Sequence, residues 1–235
     1  MKKLLLSFFA VALLTGILKA QDEKAFAKGR MTVSVGAGFG IYGTKVHTEY
    51  DQQVPYWTGS SIAWETRRYT NDTTDGAFSA IYPLTFEYGV TNWLGLGARF
   101  AYSSYFQETD SISGIQSKVR AMDVDFVANF HLVKSRRFDM PISLTIGYSN
   151  IHFWSNNPAN SQAKDNGLNY GIGLVPRIYF GNHIGMFFNI GYVGYNYPSF
   201  LFFDDANDNL NTTNNWKYSL KGNGLNMGIG LIGKF

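Results

Sequence analysis

The chain of 235 residues contains no cysteine. That excludes a disulfide framework, a thiolate metal site and a lipid-modified amino-terminal Cys. Beyond residue 20 there is no long apolar run either, so no helix is expected to cross a bilayer. Proline is scarce, at 6 residues, which leaves long segments free to pair their backbone as sheet. Net charge is also missing once the amino terminus is set aside. Lys2, Lys3 and Lys19 lie there with no acid beside them, and without them Lys+Arg falls from 20 to 17, matching the 17 Asp+Glu. A neutral remainder does not imply nucleic acid as a partner.

What is present at the start reads as a secretory signal over residues 1–20. Lys2 and Lys3 precede an apolar run from Leu4 to Leu18, and Ala20 is the small residue before the expected cut. Residues 21–29 follow as a short polar lead-in, expected to be periplasmic, and residues 30–235 as one domain.

Glycine, tyrosine and phenylalanine are plentiful, at 25, 15 and 19 residues, and they fall in a period of two. In the last segment Leu225, Met227, Ile229, Leu231 and Phe235 share one parity, while Asn226, Gly228, Gly230 and Lys234 share the other. The same alternation starts at Met31, Tyr82, Leu94, Met122, Met140, Leu168 and Ile184, making eight segments. Each is about ten residues long, enough for a tilted strand to cross a bilayer. Connections 91–93, 133–139 and 181–183 are short, whereas 43–79, 103–118, 152–167 and 194–222 are long. An even strand count with alternating loop lengths places both termini on the periplasmic side. Register through the first short connection requires an odd turn, Thr91 to Trp93, which sets Thr85 opposite Arg99.

A soluble lipocalin-like barrel also alternates, but its outer face should be rich in solvated charge. Here the less apolar face is lined instead with glycines such as Gly36, Gly38, Gly95, Gly97, Gly147, Gly171 and Gly228. A narrow lumen is a physical reason for glycine inside a strand. Tyr42, Tyr82, Tyr88, Trp93, Tyr102, Trp154, Phe180, Tyr192 and Tyr195 stand near segment ends, where interfacial girdles are expected. The expected fold is all-β: an eight-stranded antiparallel up-and-down transmembrane β-barrel.

The alternating segments, the terminal Phe235 and the glycine face resemble the small bacterial outer-membrane barrels of the OmpX and OmpA-transmembrane type. The resemblance covers nearly the whole chain after residue 20 and carries no diagnostic signature. It implies an outer-membrane location, contact with lipid and lipopolysaccharide, and Phe235 as the signal read by the barrel-assembly machinery. No peptidoglycan-binding domain is seen after Phe235, which departs from full-length OmpA-like proteins.

By parity the lumen receives Glu87, Arg99, Asp123, Asp125, Arg177 and Lys234. In such an interior the charges must pair, so a salt-bridge network filling the barrel is expected, with Glu87 near Arg99; an ion-selective constriction is the other reading. His131 is inward and expected to hydrogen-bond in the polar lumen. His152 falls on the lipid-facing parity with no Ser two residues to either side, so it lacks the His and Ser pair used by lipid A deacylases of similar architecture. No catalytic group, metal or cofactor is expected. Asp205, Asn207 and Asn209 alternate as in a calcium loop, but Leu210 stands where that pattern wants Gly. Phe200, Leu201, Phe202 and Phe203 form an apolar run that either extends a strand or offers a partner surface. The first long connection is also aromatic, with Tyr50, Tyr56, Trp57, Trp64 and Tyr69 among Glu65, Arg67 and Arg68. The expected role is structural or interactive: envelope integrity, surface binding, or an accessory barrel of a secretion or transport assembly. A narrow porin-like pore and a lipid-modifying enzyme are the alternatives.

Overall fold

The computed structural model describes residues 24–106, 117–155, 162–203 and 217–235, the side chains of 162 and 200–203 excepted. The segment expected to be a signal, residues 1–20, and the Asp205, Asn207, Asn209 stretch lie outside the described residues.

Nine β segments run through the chain: β1 Met31–Trp57, β2 Ile62–Gly89, β3 Leu94–Phe106, β4 Ser117–Lys134, β5 Phe138–Ser155, β6 Gln162–Leu174, β7 Arg177–Tyr179, β8 Ile184–Phe203 and β9 Lys217–Lys234. β6 and β7 are one strand in two pieces. Leu174 lies opposite Ile142 and Arg177 opposite Asp139, so the register against β5 carries across the gap at Val175 and Pro176. Pro176 has no N–H to donate to the ladder, which is why the pairing lapses there. The result is a ring of eight antiparallel strands in which β9 closes on β1.

The first turn has the odd length that parity demands. Gly89 lies opposite Gly95, and Thr85 opposite Arg99. Thr91 Oγ1 accepts the Trp93 and Leu94 N–H groups at 3.2 and 3.0 Å, satisfying donors that a tight turn would otherwise leave open.

All four long connections read as loops are in part strand, since β3 runs to Phe106, β4 starts at Ser117, β5 runs to Ser155 and β6 starts at Gln162, and two of the four change most. β1 and β2 stay paired past the barrel as far as Trp57 opposite Ile62, so most of residues 43–79 is a ribbon with its turn at 58–61. The alternation there is masked by polar residues on both faces, because neither face is buried. The backbone of 200–203 likewise prolongs β8, with Phe200 opposite Tyr218 and Leu201 opposite Lys164.

The two faces of the wall differ as the parity predicts. Outward-facing Val35, Ile41, Ile146, Leu168, Ile172, Ile229 and Leu231 are each more than half exposed. An apolar belt around the whole ring far exceeds the patches that water-soluble monomers carry. Inside, Ser79, Glu87, Asp123, Asp125, Asn129, His131, Asp139 and Lys234 are buried. Tyr42 and Tyr195, placed by sequence in the outer girdle, are 3% and 6% exposed and point inward. Both belong to the lumen parity of their strands, and nearness to a segment end does not override the pleat. Small residues keep that lumen closable: a Cβ on Gly97 would collide with the Phe86 carbonyl oxygen on the neighbouring strand.

Candidate functional site

The inward side chains form two layers. At the turn end, Arg177 Nη2 is 2.7 Å from Glu87 Oε2 and Arg177 Nη1 is 3.6 Å from Asp139 Oδ2. His131 lies between the same two carboxylates, with Nε2 2.7 Å from Glu87 Oε1 and Nδ1 2.8 Å from Asp139 Oδ2. The Thr32 hydroxyl donates to Glu87 Oε2 at 3.2 Å. Pairing of this kind is what makes buried charge tolerable, since each ion taken from water costs several kcal/mol on its own, although Arg177 Nε and Nη1 stay without a hydrogen-bond partner. Lys234 donates to the Lys24 carbonyl at 3.1 Å and lies 5.0 Å from the Tyr179 ring centre.

This layer is capped from below. The Phe26 ring stacks on His131 at 3.3 Å between centroids, and the Ala25 N–H donates to the Ser135 carbonyl at 2.8 Å. Ala25 and Phe26 are buried, so the middle of the expected polar lead-in is a hydrophobic stopper. Its polar composition hid two apolar residues at the critical place.

At the other end of the lumen, Arg99 Nε is 2.6 Å from Asp125 Oδ2. Asp123 accepts from the Ser149 and Tyr195 hydroxyls at 2.5 and 3.1 Å, and Tyr197 contacts Ser149 at 2.7 Å. Tyr42, Val119, Ile151 and Val193 pack with these tyrosines. Between the layers is a cavity of about 90 Å³, lined in part by Thr85, Arg99, Asn129, Ser143, Thr145 and Arg177. That is room for a few waters.

Charge inside and hydrocarbon outside is the reverse of a water-soluble barrel. The chain has the fold of a small transmembrane β-barrel. No family model matches it, and no curated protein matches it. Among solved structures it is similar to Ail, the attachment invasion locus protein of Yersinia pestis, with a TM-score of 0.42 and 15% identity over 88% of this chain and 99% of that one. It is also similar to the outer membrane protein OprG from Pseudomonas aeruginosa, with a TM-score of 0.48 and 13% identity over 89% of this chain and 97% of that one. A third is the outer membrane protease OmpT from Escherichia coli, with a TM-score of 0.41 and 10% identity over 90% and 98% of the two chains.

The six charged residues that parity assigned to the lumen lie in two separate layers and not in one network: Glu87 with Arg177 and Arg99 with Asp125 are ion pairs, whereas Asp123 is held by hydroxyls and Lys234 by a carbonyl and a ring. Arg99 pairs with Asp125 rather than with Glu87, because Asp125 is its opposite number on β4. Glu87 reaches across the lumen to Arg177. Asp139 and Tyr179 were missed as members of the turn-end layer. Asp139 shares the parity of Pro141 and Ser143, a signal lost when it was assigned to a turn. His152 is on the outer parity with Trp154. The Phe235 N–H donates to the Met31 carbonyl at 2.9 Å and its own carbonyl accepts back at 3.1 Å, tying the last residue into the closing seam.

Beyond the barrel the ribbon carries its own ion pairs. His47 Nδ1 is 2.6 Å from Asp72 Oδ1 and Nε2 is 3.2 Å from Glu49 Oε1, while Lys45 Nζ is 2.7 Å from Asp72 Oδ2. The hydrogen bonds to Asp72 and then Glu49 raise the His47 pKa above its ordinary 6.5. Those from Lys45 and then His47 hold the Asp72 carboxyl below its ordinary range.

Proposed function

We propose that this barrel is a structural or interaction protein of the outer membrane, acting through its long hairpins outside the cell and performing no catalysis. The observation that carries the reading is the contrast between the two ends. The lumen is filled by paired charges and stoppered by Phe26, whereas the β1–β2 ribbon outruns the barrel and exposes Trp57, Ile62 and Trp64. Exposed apolar side chains on a projecting element mark an interaction site. Both termini are periplasmic in this reading, the long hairpins are outside, and Phe235 serves as the assembly signal. Lipopolysaccharide would surround the wall. The apolar run Phe200, Leu201, Phe202 and Phe203 would contribute to the outer contact surface.

The test is surface labelling of intact cells with a membrane-impermeant maleimide after Ser60→Cys substitution. Labelling supports outward hairpins; protection until the cells are permeabilised would overturn them. A narrow pore is the second reading, favoured by the cavity between the two layers. Planar-bilayer recordings separate the two: steady openings favour the pore, and a silent membrane favours the filled barrel.

A further inference from the structure

Residues 53–64, at the far end of the β1–β2 ribbon, contain no charged side chain. Trp57 lies opposite Ile62 and Pro55 opposite Trp64, so these four project from one face. Trp57, Ile62 and Trp64 are 69%, 61% and 63% exposed, and Tyr56 on the other face is 48% exposed. The turn joining the two strands satisfies much of its own polarity. The Thr58 N–H and hydroxyl both donate to the Ser61 carbonyl, at 2.9 and 2.8 Å, and the Ser61 N–H donates back to Thr58 Oγ1 at 3.2 Å. These bonds lower the cost of taking the turn itself out of water, while the open edges of the two-stranded ribbon keep their main-chain groups at headgroup depth, where water remains. Immediately behind it come two neutralised pairs, Arg67 with Glu65 at 3.0 Å and Arg68 with Asp51 at 2.9 Å.

The barrel's own belt does not account for this patch. The lipid-facing rings of Phe39, Phe78 and Phe106 lie 5.8 and 5.2 Å apart in succession at the top of the wall. Above them the ribbon runs from Gly43 to Trp57, roughly 45 Å at the rise of an extended strand. Its order along that length is lipid-facing aromatics, a charged stalk, neutral ion pairs, then an uncharged aromatic tip.

We infer that the tip is a membrane-seating element for a second, apposed bilayer of zwitterionic lipid. Trp and Tyr rings favour the boundary between headgroups and acyl chains. The uncharged tip matches the apolar side of that boundary, and the paired Arg67 with Glu65 and Arg68 with Asp51 match headgroups that carry both signs. Penetration by one hairpin turn needs no rearrangement of the barrel. This inference rests on the outward orientation proposed above and names the partner of that surface.

The experiment uses the full chain in lipid nanodiscs mixed with phosphatidylcholine vesicles whose acyl chains are brominated. The wild type is expected to float with the vesicles and to lose tryptophan fluorescence to the bromine. The double variant Trp57→Ala, Trp64→Ala is expected to lose about tenfold in vesicle-bound fraction, through the apolar area removed. Its fold is checked by heat-modifiable mobility on a gel, and Ile62→Asp provides an independent lesion at the same place. Equal flotation of wild type and variants overturns the inference. So does tip quenching only when the bromine is in the disc's own lipid, and so does retention on an immobilised neutral polysaccharide without flotation. If the Ser60→Cys protein is labelled on intact cells yet the wild type does not float, this inference fails while the outward reading stands. Absence of labelling sinks the outward reading itself.

Discussion

Glu87 holds Arg177, His131 and Thr32 at once, and so ties β2 to β7, β4 and β1. Replacing it with alanine removes the nearer of Arg177's two carboxylates and leaves Asp139 at 3.6 Å to balance that charge. The expected loss is about 3–5 kcal/mol, read from denaturant unfolding of the barrel in detergent. Glu87→Gln keeps the shape and some hydrogen bonds, so it is expected to cost less. In the ribbon, His47 makes a pH-dependent contribution whose sign follows from its raised pKa. The contribution is fully present below the ordinary value of 6.5 and is lost as pH rises through the higher folded value. Asp72 acts in the opposite direction. Its lowered pKa makes a contribution present above the ordinary 3.8 and lost as pH falls through the folded value. Amide protection at residues 45–49 and 70–74, taken relative to the free-peptide exchange rate at each pH, is therefore expected to be greatest between those two limits and to fall on either side. A flat profile would show that the pair does not hold the ribbon.

At the scale of strands, the alternation of side chains made most elements legible before any coordinates. β3, β4, β5 and β9 contain the segments that parity marked, with the expected residues inside. The signal weakened where its cause weakened. Above the barrel both faces of β1 and β2 meet water, so hydrophobic alternation vanished although the backbone pairing did not. The glycines carry a separate requirement. Because a side chain on Gly97 would strike the Phe86 carbonyl, Gly97→Val is expected to separate β2 from β3 and prevent closure. The measurement is loss of the compact, heat-modifiable gel band after refolding. Normal mobility would mean that the strands can shift to accept the side chain.

The closed ring decides properties that no strand has alone. The two charged layers and the stopper are in series, so leakage is expected to depend on the weakest of them. Phe26→Ala removes the ring stacked on His131. It is expected to increase brief, small current events in planar bilayers over the wild type and to lower stability by about 3–5 kcal/mol, the cost of emptying a buried ring's place. If truncation of the ring changes neither, the amino-terminal segment does not seal the lumen. Deleting the tip of the ribbon should leave the barrel intact, since no described residue of the wall packs against residues 53–64 in the strand pairing.

The period of two in the sequence by itself determined that the chain forms strands with one apolar and one small or polar face, and which residues lie on each. It determined the odd first turn for the same reason, since one residue more or less would turn the following strand inside out. The partners of each charge were decided only by the tertiary structure. Parity states that Glu87 and Arg99 point into the lumen, but the ring's closure and register decide that one meets Arg177 across the barrel and the other Asp125 next door. The burial of Tyr42, Tyr195 and Phe26 was decided in the same way, because a lumen exists only once the last strand has met the first.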